Sequence, residues 1–231
     1  MSIYSRQSRT IHFIHIPKCA GASIRNVLKE NQWVDVTPEI PNHLRSEIRN
    51  HKGMRSDHIH RSIWSTWDQK PEFQFAIVRN PYDRLTSHFS QVTNTEAVGR
   101  FIKNESDLRS LKRDYISMFF DQIKDSEGRQ TNNGLTTGGV GFADNHWRPQ
   151  VDFIGPDTAV YNLETEVDSL IKDLKDRDII SKDSQIAHER KSVPMFDNRE
   201  IPWREMLQFH DEFVNFYRLD FELFGYQAEN F

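Results

Sequence analysis

The residues best suited to binding an anion lie in segment 17–24, between a short apolar stretch and a predicted helix. Lys18 supplies a positive charge, and Gly21 lets the backbone approach a ligand without a Cβ in the way. Apolar residues recur at helical spacing from Ile24 onward, which predicts a helix that begins near Ser23. The free N–H groups of a helix N-terminus attract anions. The segment is therefore predicted to hold a phosphate or a group of similar shape.

A second segment with the same organisation covers residues 75–89. An apolar strand ends at Arg79, and Asn80 followed by Pro81 is a typical start of a helix. A guanidinium at the end of a buried strand needs an anionic partner, and phosphate suits its forked geometry. Ligands of open α/β sheets bind beyond the carboxyl ends of the strands. The two segments are therefore predicted to converge on one ligand.

The order of residues in the first segment differs from that of nucleotide-hydrolysing P-loops. In those loops a lysine follows the glycines, and a serine or threonine comes next to bind magnesium. Here Lys18 precedes Gly21, and no such hydroxyl pattern follows. A magnesium-dependent nucleotide hydrolase is therefore disfavoured.

Together, the two segments resemble the phosphosulfate-binding and 3′-phosphate-binding signatures of sulfotransferases that use 3′-phosphoadenosine-5′-phosphosulfate (PAPS). The chain resembles most the carbohydrate branch, with heparan 2-O- and chondroitin 4-O-sulfotransferases and small bacterial members. Weaker similarities lie at 145–150, 161–164 and 216–226. The resemblance implies an α/β fold, a P-loop-like parallel β-sheet flanked by helices on both faces. It also implies transfer of a sulfuryl group from PAPS to a carbohydrate hydroxyl, with PAP as product and no metal.

The resemblance assigns roles to residues at matching positions. Lys18 is expected to stabilise the charge that develops on the leaving oxygen. Ser23 is expected to donate to the 5′-phosphosulfate while also serving as helix N-cap, and Arg79 is expected to bind the 3′-phosphate with Ser87. A covalent role for Cys19 is disfavoured because sulfuryl transfer from PAPS is direct. The expected donor-binding residues are Pro17, Lys18, Cys19, Ala20, Gly21, Ala22, Ser23, Ile24, Arg79 and Ser87.

Two histidines precede the strand of Arg79, about where this family carries its catalytic histidine. His58 and His60 share one face if their segment is extended, and histidine titrates in the range that suits a general base. His58 is favoured as the base, and His60 is the alternative. A metal-binding pair is a weaker interpretation because no carboxylate or cysteine set accompanies it. His146 and Arg148 match a family stretch expected near the acceptor.

Composition sets the remaining limits. The chain has 231 residues and a net charge of −4, which fits one domain, 1–231, without the basic field of a nucleic-acid-binding protein. Residues 1–10 are expected to be loose. The single cysteine excludes an internal disulfide, and no run resembles a membrane span or a signal peptide. A cytoplasmic enzyme of bacterial or viral origin is expected, with no membrane or nucleic-acid partner and an undetermined oligomeric state.

The apolar pattern alternates between strands and helices, which is typical of a parallel sheet. A capping-box pattern at 165–168 predicts another helix start. The glycine-rich loop 131–141 is either a surface excursion or a lid over the acceptor. Two other functions stay open: a non-catalytic nucleotide-binding module and a nucleotide kinase-like phosphotransferase. The predicted strands are 11–16, 33–36, 73–78, 151–154 and 159–163, and the predicted helices include 23–31, 43–50, 61–67, 96–124 and one from Pro202.

Overall fold

The computed structural model describes residues 1–38, 61–65, 70–93, 102–127, 145–186 and 207–229. The chain forms two compact units. The first comprises Met1–Arg79 and Ala143–Glu189, and the second comprises Asn80–Phe142 and Arg190–Phe231. All described strands belong to the first unit, whereas the described elements of the second are helices.

A five-stranded sheet forms the core of the first unit. Its strands are β1 (Ser2–Arg6), β2 (Arg9–Ile14), β3 (Val34–Asp35), β4 (Phe73–Val78) and β5 (Ala159–Asn162). Their order is β3-β1-β2-β4-β5. Strands β2, β4 and β5 are parallel, whereas β1 is antiparallel to both β2 and β3. The predicted α/β class is confirmed: three neighbouring parallel strands form one side of the sheet, and the antiparallel strand β1 joins them to β3, which makes the sheet mixed.

Seven α-helices are described in the two units together. They are α1 (Gly21–Glu30), α2 (Arg61–Trp64), α3 (Pro81–Thr93), α4 (Glu105–Glu127), α5 (Val167–Asp176), α6 (Leu207–Phe216) and α7 (Arg218–Phe224). Aromatic side chains build the core of the second unit. Tyr82 of α3 stacks on Phe213 of α6 at 4.9 Å between ring centroids, and Phe119 of α4 stacks on Tyr217 at 6.2 Å.

The prediction that residues 1–10 are loose is wrong. Strand β1 pairs with β2 along its whole length, and the Ile3 side chain is completely buried. The Ile3 N–H donates to Thr37 Oγ1 at 2.8 Å, and the Ile3 carbonyl accepts from the Val36 N–H at 2.8 Å. Pairing on both sides fixes a segment whose own serine and arginine content gives little sign of a strand.

The strand predicted at 151–154 is also wrong, because Gln150–Phe153 forms a short 3-10 helix. The Asp152 N–H donates to the Pro149 carbonyl at 3.2 Å, and the Ile154 N–H donates to the Val151 carbonyl at 3.2 Å. Such bonds between residues three apart define the 3-10 turn. The apolar residues of this segment therefore reach the core from a turn.

The predicted capping box at 165–168 does not form. Helix α5 begins at Val167, and its N-cap residue Glu166 makes no side-chain cap. The Glu166 carboxylate instead accepts from the Asn162 N–H at 2.8 Å, at the end of β5.

Predictions for the second signature segment agree with the structure. Strand β4 has the predicted bounds, and α3 begins at Pro81. Asn80 caps this helix, since its Oδ1 accepts from the Tyr82 N–H at 2.9 Å. The predicted helix 43–50, the loop 131–141 and the helix start at Pro202 lie outside the described residues.

Candidate functional site

The loops that follow β2 and β4 meet at one edge of the sheet. Both strands run in the same direction, with Ile14 paired to Ala76, so their carboxyl ends lie side by side. Beyond them, Arg79 Nη1 donates to the Lys18 carbonyl at 3.4 Å. The two signature segments are therefore adjacent at these two residues, and their convergence on one ligand stays a prediction. We call residues 15–21, from the end of β2 to the first residue of α1, the glycine loop.

The glycine loop has a strained backbone. Lys18 and Ala20 adopt the left-handed conformation, with φ of 70° and 58°. An L-residue incurs about 1–2 kcal/mol in this conformation, and such strain concentrates at ligand sites. Helix α1 begins directly after Ala20, which is its N-cap and makes no side-chain cap. The predicted capping role of Ser23 is therefore wrong, because Ser23 is the third residue of the helix and its side chain is buried.

Gly21 lies against the side chain of His15. A Cβ at this position would lie 2.0 Å from His15 Nε2 and 2.2 Å from His15 Cδ2. The imidazole of His15, 5% exposed, therefore occupies the space that a side chain at position 21 would need. The missing Cβ accommodates a ring of the protein itself, so close approach of a ligand is not needed to explain this glycine.

The surroundings of the Arg79 side chain indicate whether it could bind an anion. Its side chain is half-buried, and its guanidinium contacts the Lys18 carbonyl. Within the described ranges, no carboxylate pairs with it. Partial burial strengthens the interaction of a charge with a partner of opposite sign. The position therefore favours binding of an anion.

Gln150 is a component of the site to which the sequence analysis gave no role, although it is the last residue of 145–150, one of the weaker similarities to the family. Its side chain is completely buried. Its Oε1 accepts from the Arg79 N–H at 2.8 Å, and its Nε2 donates to the Arg79 carbonyl at 2.8 Å. One side-chain amide thus satisfies both main-chain groups of Arg79.

Cys19 connects the glycine loop to the same amide. Its thiol is 1% exposed and donates to Gln150 Oε1 at a distance of 3.3 Å. A buried, hydrogen-bonded thiol fits a structural role.

Arg148 supports the segment that carries Gln150. Its side chain is 4% exposed, Nε donates to Asn145 Oδ1 at 2.9 Å, and Nη1 lies 3.1 Å from Asp152 Oδ2. Burial lowers the pKa of the Arg148 guanidinium, while Asp152 opposes that shift. These contacts explain Arg148 as a support for its own loop. A contact with an acceptor stays a prediction for Arg148 and for the partly exposed His146.

The other predicted site residues are distributed as follows. Ser87 lies on α3 of the second unit and is partly exposed. Pro17 and Ile24 are buried, whereas Ala22 is partly exposed. His58 and His60 lie outside the described residues. Among the residues that the structure describes, no group of three or more potential ligands could hold a metal ion.

Comparison with protein-family models gives one finding that covers nearly the whole chain. Residues 3–227 match the model described as "Sulfotransferase family". No curated protein and no solved structure matched the chain. Within the described ranges, no helix combines the length and apolarity that crossing a membrane requires.

Proposed function

The chain belongs to the sulfotransferase family, and from this premise we propose that it transfers a sulfuryl group from PAPS to a carbohydrate hydroxyl. The predicted family is confirmed; the donor, the acceptor and the catalytic residues are the proposal. One observation carries it: the strained loop of Lys18 meets the half-buried Arg79 where two parallel strands end.

The charges at this edge match the chemistry of PAPS. The donor has a phosphosulfate on the 5′ position of its ribose and a phosphate on the 3′ position. We assign the 3′-phosphate to Arg79, whose planar guanidinium can donate two parallel hydrogen bonds. We assign the phosphosulfate to the glycine loop, with Lys18 and the start of α1. Participation of Ser87 at the 3′-phosphate rests on the resemblance alone.

The proposed reaction is an in-line transfer. The acceptor oxygen attacks sulfur, the bond between sulfur and the bridging oxygen breaks, and PAP leaves with that oxygen. Lys18 stabilises the negative charge that develops there. The acceptor loses its proton to a histidine base, for which His58 is favoured and His60 is the alternative. The scheme needs no covalent intermediate on Cys19 and no metal.

The acceptor assignment rests on the carbohydrate branch that the chain resembles. In this scheme His146 and Arg148 belong to the acceptor side, and a cytoplasmic location remains part of the proposal. The two alternatives, a binding module and a phosphotransferase, make different predictions for nucleotide preference and for product formation.

Calorimetry with PAP, ADP and ATP in the presence of a chelator tests the donor. PAP should bind far more tightly than ADP or ATP, because a half-buried guanidinium favours the ligand that supplies its anion. Equal affinity for PAP and ADP would exclude the PAPS assignment. Incubation with PAPS and a panel of sugars, read by mass spectrometry, tests the chemistry. PAP binding without any sulfated product would identify a binding module, and a magnesium-dependent preference for ATP would identify a phosphotransferase.

A further inference from the structure

We infer that Gln150 is a positioning residue of the donor site, which fixes the spacing between the glycine loop and Arg79. This inference rests on the proposed function, because it concerns how the two anionic groups of PAPS are recognised together. It assigns no direct ligand contact to Gln150.

The first step of the argument concerns the end of the sheet. Strand β4 ends at Val78, whose carbonyl accepts from the Leu163 N–H at 2.8 Å beyond the end of β5. Arg79 is the next residue, and the amide of Gln150 pairs with both its N–H and its carbonyl. The side chain therefore extends the hydrogen bonding of the sheet by one residue.

The second step concerns burial. The side chain of Gln150 is fully removed from solvent, so water cannot replace a hydrogen bond that is lost. An amide held by both its donor and its acceptor has one orientation, and it also fixes which way the Arg79 peptide faces. The direction in which the guanidinium leaves the main chain is set by that peptide.

The third step links this peptide to the glycine loop. Gln150 Oε1 also accepts from the Cys19 thiol at 3.3 Å, between the two left-handed residues Lys18 and Ala20. One buried side chain therefore contacts both loops from which the two cations project. Few other side chains could do this, because the amide must accept from two donors and donate to a carbonyl.

The fourth step concerns the ligand. The 3′-phosphate and the 5′-phosphorus group of PAPS are attached to one ribose, so the distance between them is limited. A site that binds both groups must hold its two loops at a matching spacing, whereas a nucleotide without the 3′-phosphate senses only one loop. Loss of Gln150 should therefore weaken PAP binding much more than ADP binding.

The test compares Gln150→Met with the wild-type chain by calorimetry with PAP and ADP. Methionine has a similar length and cannot replace the amide contacts. The ratio of PAP to ADP affinity should fall about tenfold or more, since small misplacements of positioned groups have large effects. Gln74→Met is the matched control, because Gln74 lies near the start of β4 and its Nε2 donates to Thr158 Oγ1 at 2.7 Å. Its ratio should stay within about twofold of wild type.

A double-mutant cycle separates positioning from general stability. In an Arg79→Ala background no guanidinium remains to be positioned, so adding Gln150→Met should change the PAP to ADP ratio by less than about twofold. If Gln150→Met does not fold, Gln150→Asn keeps the amide on a shorter side chain, and its ratio should also fall.

The outcomes distinguish this inference from the proposed function. If Gln150→Met or Gln150→Asn lowers the melting temperature but leaves the PAP to ADP ratio unchanged, Gln150 is only structural and the inference is overturned. The same holds if the ratio falls equally in the Arg79→Ala background. If the wild-type chain itself does not prefer PAP to ADP, the proposed function fails first.

Discussion

The two ends of the sheet in the first unit use arginine in opposite ways. At the amino-end edge, where β2 and β4 begin, Arg9 Nη2 lies 2.6 Å from Glu72 Oε1 and donates to the Arg177 carbonyl at 2.6 Å. At the carboxyl-end edge, Arg79 contacts a carbonyl and, among the described residues, has no carboxylate partner. Glu72 compensates the charge of Arg9, whereas no carboxylate among the described residues compensates that of Arg79, and we propose that a ligand does so.

The other contacts at the two edges also differ. At the amino-end edge, the guanidinium of Arg6 lies 4.6 Å from the ring centroid of Trp33, whose Nε1 donates to the Ile179 carbonyl at 2.7 Å. Through Trp33, these contacts link the segment after α5 to strand β1. At the carboxyl-end edge, the glycine loop contains two left-handed residues, and the buried amide of Gln150 holds the main chain of Arg79. Among the described residues, the arginines of the amino-end edge contact groups of the protein, and the proposal assigns the charge of Arg79 to a ligand.

The largest effect that this comparison predicts concerns the base expected to act at the carboxyl-end edge. His58→Ala should bind PAP normally and transfer the sulfuryl group about 10²–10⁴-fold more slowly, the usual cost of losing a positioned base. Single-turnover transfer from PAPS measures the rate, and His60→Ala is the matched control with a milder effect. If His60→Ala is inactive while His58→Ala stays active, His60 is the base. Full activity of both variants would exclude a base at either position.

The next effect tests the two edges directly. Arg79→Ala should lose about 2–4 kcal/mol of PAP binding, as expected when one partner of a desolvated charge pair is truncated. Arg9→Ala should leave PAP binding unchanged, because the contacts of Arg9 are internal. Calorimetry on both variants gives the comparison, and equal losses would show that the two edges do not differ in function.

A smaller effect is expected on stability. Arg9→Ala should lower the free energy of unfolding by about 1–2 kcal/mol, because it removes several hydrogen bonds along with a partly exposed ion pair worth at most about 1 kcal/mol. Glu72→Gln removes only the charge and should have less effect. Urea unfolding of these variants and of Arg79→Ala measures the difference. If Arg79→Ala lowers the free energy of unfolding more than Arg9→Ala does, Arg79 is the more important of the two for stability, contrary to this comparison.

The smallest effect concerns His12, in the middle of β2 and between the two edges. Its ring nitrogens are buried and have no hydrogen-bond partner among the described residues. Burial lowers its pKa below the ordinary 6.5, and the neighbouring Gln74 only partly offsets this. The unfolded chain then binds a proton more readily than the folded one, so stability falls as the pH drops below about 6.5.

His12→Leu should flatten that pH dependence. We expect a difference of roughly 1 kcal/mol or less between about pH 7 and pH 5. Unfolding curves collected at several pH values measure it. An identical decline in both proteins would assign the pH dependence to other groups.

The sequence predicted best those elements that depend only on residues close together in the chain. The apolar run of β4 and the Asn80-Pro81 helix start depend on neighbouring residues, and both are confirmed. Strand β1 could not be found this way, because its stability comes from pairing with β2 and β3 on either side. The apolar residues at 151–154 resemble a strand, yet the turn after Pro149 makes a 3-10 helix of them.

The site shows the same division. The strand-loop-helix pattern predicted that both loops would lie at the carboxyl ends of their strands, and parallel neighbours place such loops together. The contact of Arg79 with the Lys18 carbonyl is a detail that only the structure shows. Gln150 lies 71 positions from Arg79 in the sequence, so its contacts depend on tertiary packing. Only its position in 145–150, a weaker similarity to the family, could have drawn attention to it. The contact of the His15 ring with Gly21 could not be predicted either, because a glycine in a loop has several possible explanations.

Positions 15 and 21 compete for the same space, which the His15 ring now fills. A side chain at 21 would collide with the His15 imidazole, as the 2.0 Å separation from a hypothetical Cβ shows. Gly21→Ala alone should therefore be rejected, while the same change beside His15→Ala should be tolerated. Relatives with a larger residue at position 21 should carry a smaller one at position 15. Any side chain added at position 21 therefore requires the His15 ring to move or to be replaced.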